Sequence, residues 1–206
     1  AFDMISGQAN WQVEADELEV KLRNVAITNA DISGNAYGSY RTQASSAGRV
    51  DLTVHLTRAA ISSVGKYIPL VGLGAETRTW INKSLLDGQS GDFNLRMKGD
   101  IDDFPFVANK NGIFKINARA KGVALEIGNG WPRIDNANID LLIQGKELVV
   151  TASSAMTAGI RLKNVRAALP DILSNSLMLK IQGEAEAENS RALDYIGLSP
   201  VHKYLG

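Results

Sequence analysis

The chain has 206 residues, no cysteine, two histidines, and 22 basic against 22 acidic side chains, for a formal net charge of zero. With no one-signed field it has nothing to attract nucleic acid or an anionic membrane surface, and without thiols it has neither disulfides nor thiolate metal sites. No run approaches the ~18 to 20 apolar residues of a membrane-spanning helix, and the opening AFDMISGQANW lacks the basic and apolar regions of a secretory leader.

The first periodic stretch is Trp11-Gln12-Val13-Glu14, which resumes as Leu18-Glu19-Val20-Lys21-Leu22-Arg23 after an Asp16-Glu17 turn, a hairpin with one apolar face. Residues 25–40 read as looser, because Gly34 and Gly38 interrupt any period. From Val50 to Thr57 the alternation is faultless, so Val50, Leu52, Val54 and Leu56 share a face. Spacing then changes to Ile61, Val64 and Ile68, a short helix that Pro69 stops, and a second helix is predicted over 75–86 with Gly88 as its C-cap. Its apolar stripe of Trp80, Ile81 and Leu85 must pack on something.

Strand signals return and persist in Phe93, Leu95 and Met97; Phe114, Ile116, Ala118 and Ala120; Val123, Leu125 and Ile127; Ile139, Leu141 and Ile143; Leu148 and Val150; Ile160 and Leu162; and Leu177, Leu179 and Ile181. Polar residues fill most alternate places, and turns are predicted at Lys110-Asn111-Gly112, Gly128-Asn129-Gly130 and Gly145-Lys146, which together describe an antiparallel sheet that is polar on one side. A last helical turn carries Ala192, Leu193 and Ile196, with Asn189 or Ser190 as its cap. Leu95 to Asp100 also resembles Leu179 to Glu184, a weak internal repeat.

About a dozen alternating strands each offer an apolar row, while only two or three short helices are available to cover it. A closed barrel or sandwich would bury the rows against one another. A curved sheet left open would instead line a groove for a hydrophobic guest. Shielding hydrocarbon yields ~0.8 kcal/mol per CH₂, so a two-chain lipid of about thirty methylenes gains on the order of 20 kcal/mol before costs.

Catalytic and metal chemistry finds little material. His55 lies on the polar side of its strand, His202 sits in the tail, and neither has partners at triad spacing. Asp100, Asp102 and Asp103 cluster, but lack the glycine and later glutamate of a calcium loop. Gly72-Leu73-Gly74 before a helix lacks the third glycine and the βαβ setting of a dinucleotide site. Neither enzyme activity nor a cofactor is expected, and no metal site.

Tyr67-Ile68-Pro69, Trp80-Ile81, Leu85-Leu86 and Gly88, then Leu95-Arg96-Met97-Lys98-Gly99-Asp100 and Asp103-Phe104-Pro105-Phe106, resemble in order and spacing the "YLP … WL … AL … G … GD … DFPF" signature of YhdP-type AsmA-like proteins. Gly130-Trp131-Pro132, Leu148-Val149-Val150, Ala192-Leu193-Asp194-Tyr195 and Ser199-Pro200 agree with it, and the resemblance runs from about Val50 onward. It implies a very large envelope protein of Gram-negative bacteria, held in the inner membrane by an N-terminal helix. The resemblance further implies a periplasmic body similar to the repeating β-groove bridges that carry lipid, here phospholipid, towards the outer membrane.

The resulting expectation is a mainly β fold: a curved, incompletely closed antiparallel sheet, a β-taco, with two or three short helices. It is an internal segment of a longer protein, with 1–58 as N-terminal strands, 59–88 as a helical insertion and 89–206 as a second strand-rich repeat. Val50, Leu52, Val54, Leu56, Phe93, Leu95, Met97, Phe114, Ile116, Val123, Leu125, Ile127, Ile139, Leu141 and Ile143 are the expected groove lining, with Trp80, Ile81 and Leu85 as a helical cover or gate. Expected partners are phospholipid acyl chains, adjoining repeats of the same parent chain and, through an absent anchor, the inner membrane. A self-filled scaffold of the envelope is the alternative.

Overall fold

The computed structural model describes residues 3–15, 17–68, 75–107, 112–174, 178–200 and 202. Pro69, Gly72 to Gly74, Lys110-Asn111, Leu177 and the tail beyond His202 lie outside the described residues, and with them the helix stop, the glycine pair and one turn read from sequence.

Period-two alternation produces ten strands: β1 (Met4–Glu14), β2 (Glu17–Thr28), β3 (Ile32–Gln43), β4 (Ser46–Ala60), β5 (Leu85–Asp100), β6 (Ile113–Leu125), β7 (Ile134–Gln144), β8 (Glu147–Thr157), β9 (Ile160–Leu169) and β10 (Lys180–Glu186). They form one antiparallel sheet in which spatial order equals chain order, β1 through β10, with β1 and β10 as edges. The sheet does not close into a barrel. Ten strands give nine inter-strand steps of about 4.8 Å, so the face extends about 43 Å across the strands.

Serial pairing sorts the connections onto two rims. One rim carries the helical pieces: a 3₁₀ segment (Ile61–Lys66) and α1 (Ala75–Ser84) between β4 and β5, and α2 (Asn189–Leu198) after β10. The opposite rim carries a 3₁₀ turn (Ile101–Asp103) and Phe104-Pro105-Phe106, with the Phe104–Pro105 peptide cis. Asp100 accepts a hydrogen bond from the Asp102 amide, and Asp102 accepts one from the Ala47 amide, so the acidic cluster is used in holding turns together.

Several sequence expectations change. The loose stretch over 25–40 belongs to two full strands. The second helix ends at Ser84, Leu85 already opens β5, and Gly88 is a strand residue at φ 118°, not a helix cap. The row Phe114 to Ala120 and the pair Val123 and Leu125 form one strand, β6, with a bulge between them. Glu188 rather than Asn189 or Ser190 stands at the N-cap of α2, without a side-chain bond. The similar segments Leu95 to Asp100 and Leu179 to Glu184 fall in β5 and, from Lys180 onward, in β10, which run in opposite directions.

A row of bulges crosses the sheet towards the helical-rim ends of the strands. Register breaks fall at Asn24, Thr57, Gly91, Gly122, Asn136, Ser153 and Asn164, on successive or alternate strands. Four of these share one pattern, Arg23-Asn24-Val25, Lys121-Gly122-Val123, Asp135-Asn136-Ala137 and Lys163-Asn164-Val165, in which the middle residue has φ of 45°, 64°, 52° and 50°. Asn and Gly tolerate this left-handed backbone better than other residues. Each bulge bends its strand and increases the local twist, so an aligned row creases the whole sheet along one line.

Candidate functional site

Directly opposed residues of an antiparallel pair project to the same side, so the register identifies one face from edge to edge. Val50 faces Gly99, Leu52 faces Met97, Val54 faces Leu95 and Leu56 faces Phe93. Phe93, Leu95 and Met97 in turn face Ala118, Ile116 and Phe114, and Ile116, Ala118 and Ala120 face Ile143, Leu141 and Ile139. Past the bulge, Val123 opposes Ala137 and Leu125 opposes Ile134, returning to the same side. The strand residues named from sequence therefore share a face, whereas Ile127 lies beyond the end of β6.

That face is wider than the sequence list. It continues through Tyr40, Val20 and Trp11 on one flank, and through Val150, Ala167 and Ile181 on the other. Their alternation was visible in the sequence for most of these strands, and only the order of strands was needed to join them.

Little covers this face. Its buried members are mostly small: Ala36, Ala59, Ala120, Ala137, Ala152 and Ala155. Leu52, Val54, Leu95, Met97, Ile116, Leu141 and Ile143 are only half-buried. Val123, 1 % exposed, and Ser199 are the largest side chains removed entirely from solvent among the described residues. Total accessible surface is 13118 Å², against about 9,400 Å² for a compact monomer of this length. A sandwich or barrel would have consumed the excess.

Cover comes from both rims beside β5. On the helical rim Ile61 packs on the small cluster of Ala120, Val123, Ala137 and Ala155. On the other rim Phe106 is buried against Gly99 and Gly112, its ring standing 2.6 Å from where a side chain at Gly99 would begin. Gly99 opposes Val50, so that ring lies over the apolar face. Phe104 meets Phe106 and Phe114 edge-on, at centroid distances of 6.0 and 4.8 Å. Of the residues read as a helical cover, Trp80 is 42 % exposed and donates its indole N–H to the Ile127 carbonyl at 2.8 Å. Ile81 is half-buried, and Leu85 pairs with Leu125 in the sheet.

The 3₁₀ segment is fastened by a polar clamp that the sequence did not announce. Asp31, in the β2–β3 turn, accepts bonds from Ser63 Oγ at 2.9 Å, Lys66 Nζ at 2.8 Å and the Tyr67 hydroxyl at 3.1 Å. Asn29 Nδ2 donates to the same hydroxyl, and Asn29 Oδ1 accepts from the amides of Asp31 and Ile32. The Lys66 ammonium, then Ser63, lowers the Asp31 pKa.

Among the described residues the strand charges lie on the other side of the sheet and at the rims. Asp51 pairs with Arg96 at 2.5 Å and Lys98 at 3.5 Å, and Arg119 with Asp92 at 3.2 Å. The Arg96 bond holds the Asp51 carboxyl below its ordinary pKa. His55 is exposed on this side, and His202 Nδ1 lies 2.6 Å from the Ser199 carbonyl. Among the described residues no three His, Asp or Glu converge as a metal site, and no helix is long and apolar enough to cross a membrane.

The model of one family, described as YhdP protein, matches residues 1–206. Comparison with curated proteins and with solved structures returned no match. The family match covers the first fifty residues as well, ahead of the point, about Val50, from which the resemblance in the sequence runs. On this evidence the chain belongs to the YhdP family.

Proposed function

We propose that the chain is one segment of a bridge that carries phospholipids through the periplasm between the inner and outer membranes of a Gram-negative envelope. The observation that carries this reading is the apolar face itself, continuous over ten strands and covered only in part, beside β5. Membership of the YhdP family supports it. Acyl chains lie on the rows of Leu52, Val54, Leu95, Ile116 and Leu141, where each methylene removed from water contributes ~0.8 kcal/mol, while head groups stay at a rim. Movement is one-dimensional diffusion over contacts that are alike from strand to strand, with no bond made or broken and no cofactor.

The same geometry supports the expected partners. β1 and β10 present unpaired backbone at the two ends of the face, with Trp11 73 % and Val13 69 % exposed on β1. Adjoining segments of the parent chain complete these edges, and the parent is held in the inner membrane. Ile61 and Phe106, reaching over the face from opposite rims beside β5, narrow the path there.

Photo-crosslinking from Leu52 and Leu95 in the full-length parent, with Thr53 and Arg96 of the polar side as controls, tests the reading. Labelled phospholipid adducts at the first pair and not the second support it. Their absence at Leu52, Leu95 and every other apolar position overturns it and leaves an envelope scaffold. Removing the 3₁₀ segment and α1 without altering the adducts would reduce that cover to packing.

A further inference from the structure

A pocket of about 450 Å³ opens on the helical rim between α1 and the chain leaving β6, lined by Trp80, Lys83, Ser84, Glu126 and Asn129. Its position is fixed by the hydrogen bond from the Glu126 amide to the Ser84 carbonyl, 3.0 Å, which ties the end of α1 to the end of β6. One residue further in, Leu85 and Leu125 oppose each other and begin the apolar face. The pocket therefore starts where the apolar rows stop.

Its charges are one of each sign. Among the described residues Lys83 and Glu126 are its ionic side chains, and neither is engaged in an ion pair or a side-chain hydrogen bond, with each other or with a neighbour. Two unpaired opposite charges around one cavity suit a ligand that itself carries both. Trp80 adds an aromatic wall whose N–H is already committed to the Ile127 carbonyl, leaving its ring for a cation.

We propose that this pocket is a head-group site for a zwitterionic phospholipid bearing a primary ammonium. The phosphodiester meets Lys83, and the ammonium meets Glu126 and the face of Trp80. The acyl chains continue onto the Leu85–Leu125 row. The proposal rests on the lipid-carrying reading for the source of its ligand, and the chemistry of the site is shared by soluble glycerophosphoethanolamine.

The test equilibrates the purified chain with vesicles of equal parts phosphatidylethanolamine and phosphatidylglycerol and counts bound lipid by native mass spectrometry. Phosphatidylethanolamine should be enriched about fivefold over its input ratio, the range expected of one cation–π contact and one ion pair at a partly exposed site. Glu126→Lys should abolish or reverse the enrichment at unchanged total lipid. Lipid bound at the input ratio by both proteins would overturn the head-group site and leave the groove standing. Should neither protein take up lipid, the groove reading fails, and titration with glycerophosphoethanolamine decides the pocket through the Trp80 indole NMR signal, assigned with Trp80→Phe. A shift lost in Glu126→Lys then supports a site for the free head group, and no shift overturns it.

Discussion

Gly88 and Val123 meet so closely across the β5–β6 pair that a Cβ on Gly88 would stand 2.8 Å from the Val123 Cα. The same nesting recurs at the two flanks, with 2.7 Å from Gly7 to the Val25 Cα and 3.1 Å from Gly183 to the Val165 Cα. In each case a bulged valine, raised towards its neighbour, finds a glycine there. Bulge and glycine are thus one device used three times along the crease.

Replacing Gly88 by Ala should cost about 2 to 3 kcal/mol, because the added methyl meets backbone and φ 118° strains any L side chain. Gly128→Ala is the control, since its Cβ would meet only Trp131 Cδ1 at 4.0 Å, and it should be nearly neutral. Urea denaturation of both variants measures the difference.

The left-handed residues of the crease give a second expectation. Asn136, at φ 52°, should accept Gly with a change within about 0.5 kcal/mol, whereas Val should cost about 1 to 2 kcal/mol because its branched Cβ collides with the carbonyl. Equal effects of the two substitutions on the unfolding midpoint would contradict the assignment of backbone strain there.

How far this crease was legible shows where sequence reading stops. Alternation revealed most strands and the apolar row of Val50, Leu52, Val54 and Leu56, because a half-buried strand writes its faces directly into the chain. It divided β6 in two at Gly122, since a bulge imitates a break in the period. Charge-Asn/Gly-small apolar triplets at 23–25, 121–123, 135–137 and 163–165 were the available signal. They are short, and each makes sense only beside a neighbouring strand. Leu85 and Gly88 were assigned to a helix and its cap because local spacing could not show that pairing with β6 begins there. The Asp31 clamp joins residues more than thirty positions apart, and nothing local marks it.

Packing makes an unusual ordering testable. Val123→Ala should destabilise the lipid-free protein by about 2 kcal/mol, since the side chain is wholly enclosed, while Leu95→Ala, which deletes more hydrocarbon from a half-buried position, should cost less than about 1.5 kcal/mol. In a conventional core the larger deletion costs more. Calorimetric unfolding of the two variants side by side reads the order.

The clamp predicts a dependence on acid. Asp31 has a folded pKa below its unfolded value, so its contribution is fully present above the ordinary carboxylate range and is lost as pH falls through the depressed folded value. Amides of the Ile61–Lys66 segment should therefore exchange faster, relative to those of β4, on acidification below that range. In Asp31→Asn they should already be fast at neutral pH, with no further change from this group on acidification.

Because each strand pairs only with its neighbours in the chain, the sheet is a ladder that can change length without being redrawn. Adding a hairpin lengthens it by about 9.6 Å and leaves every existing turn on its rim. Adding a single strand sends all later turns to the opposite rim, exchanging the helical side for the phenylalanine side from that point on. Viable lengths of such a ladder therefore come in steps of two strands, and an odd insertion is read as a reversal of its lips.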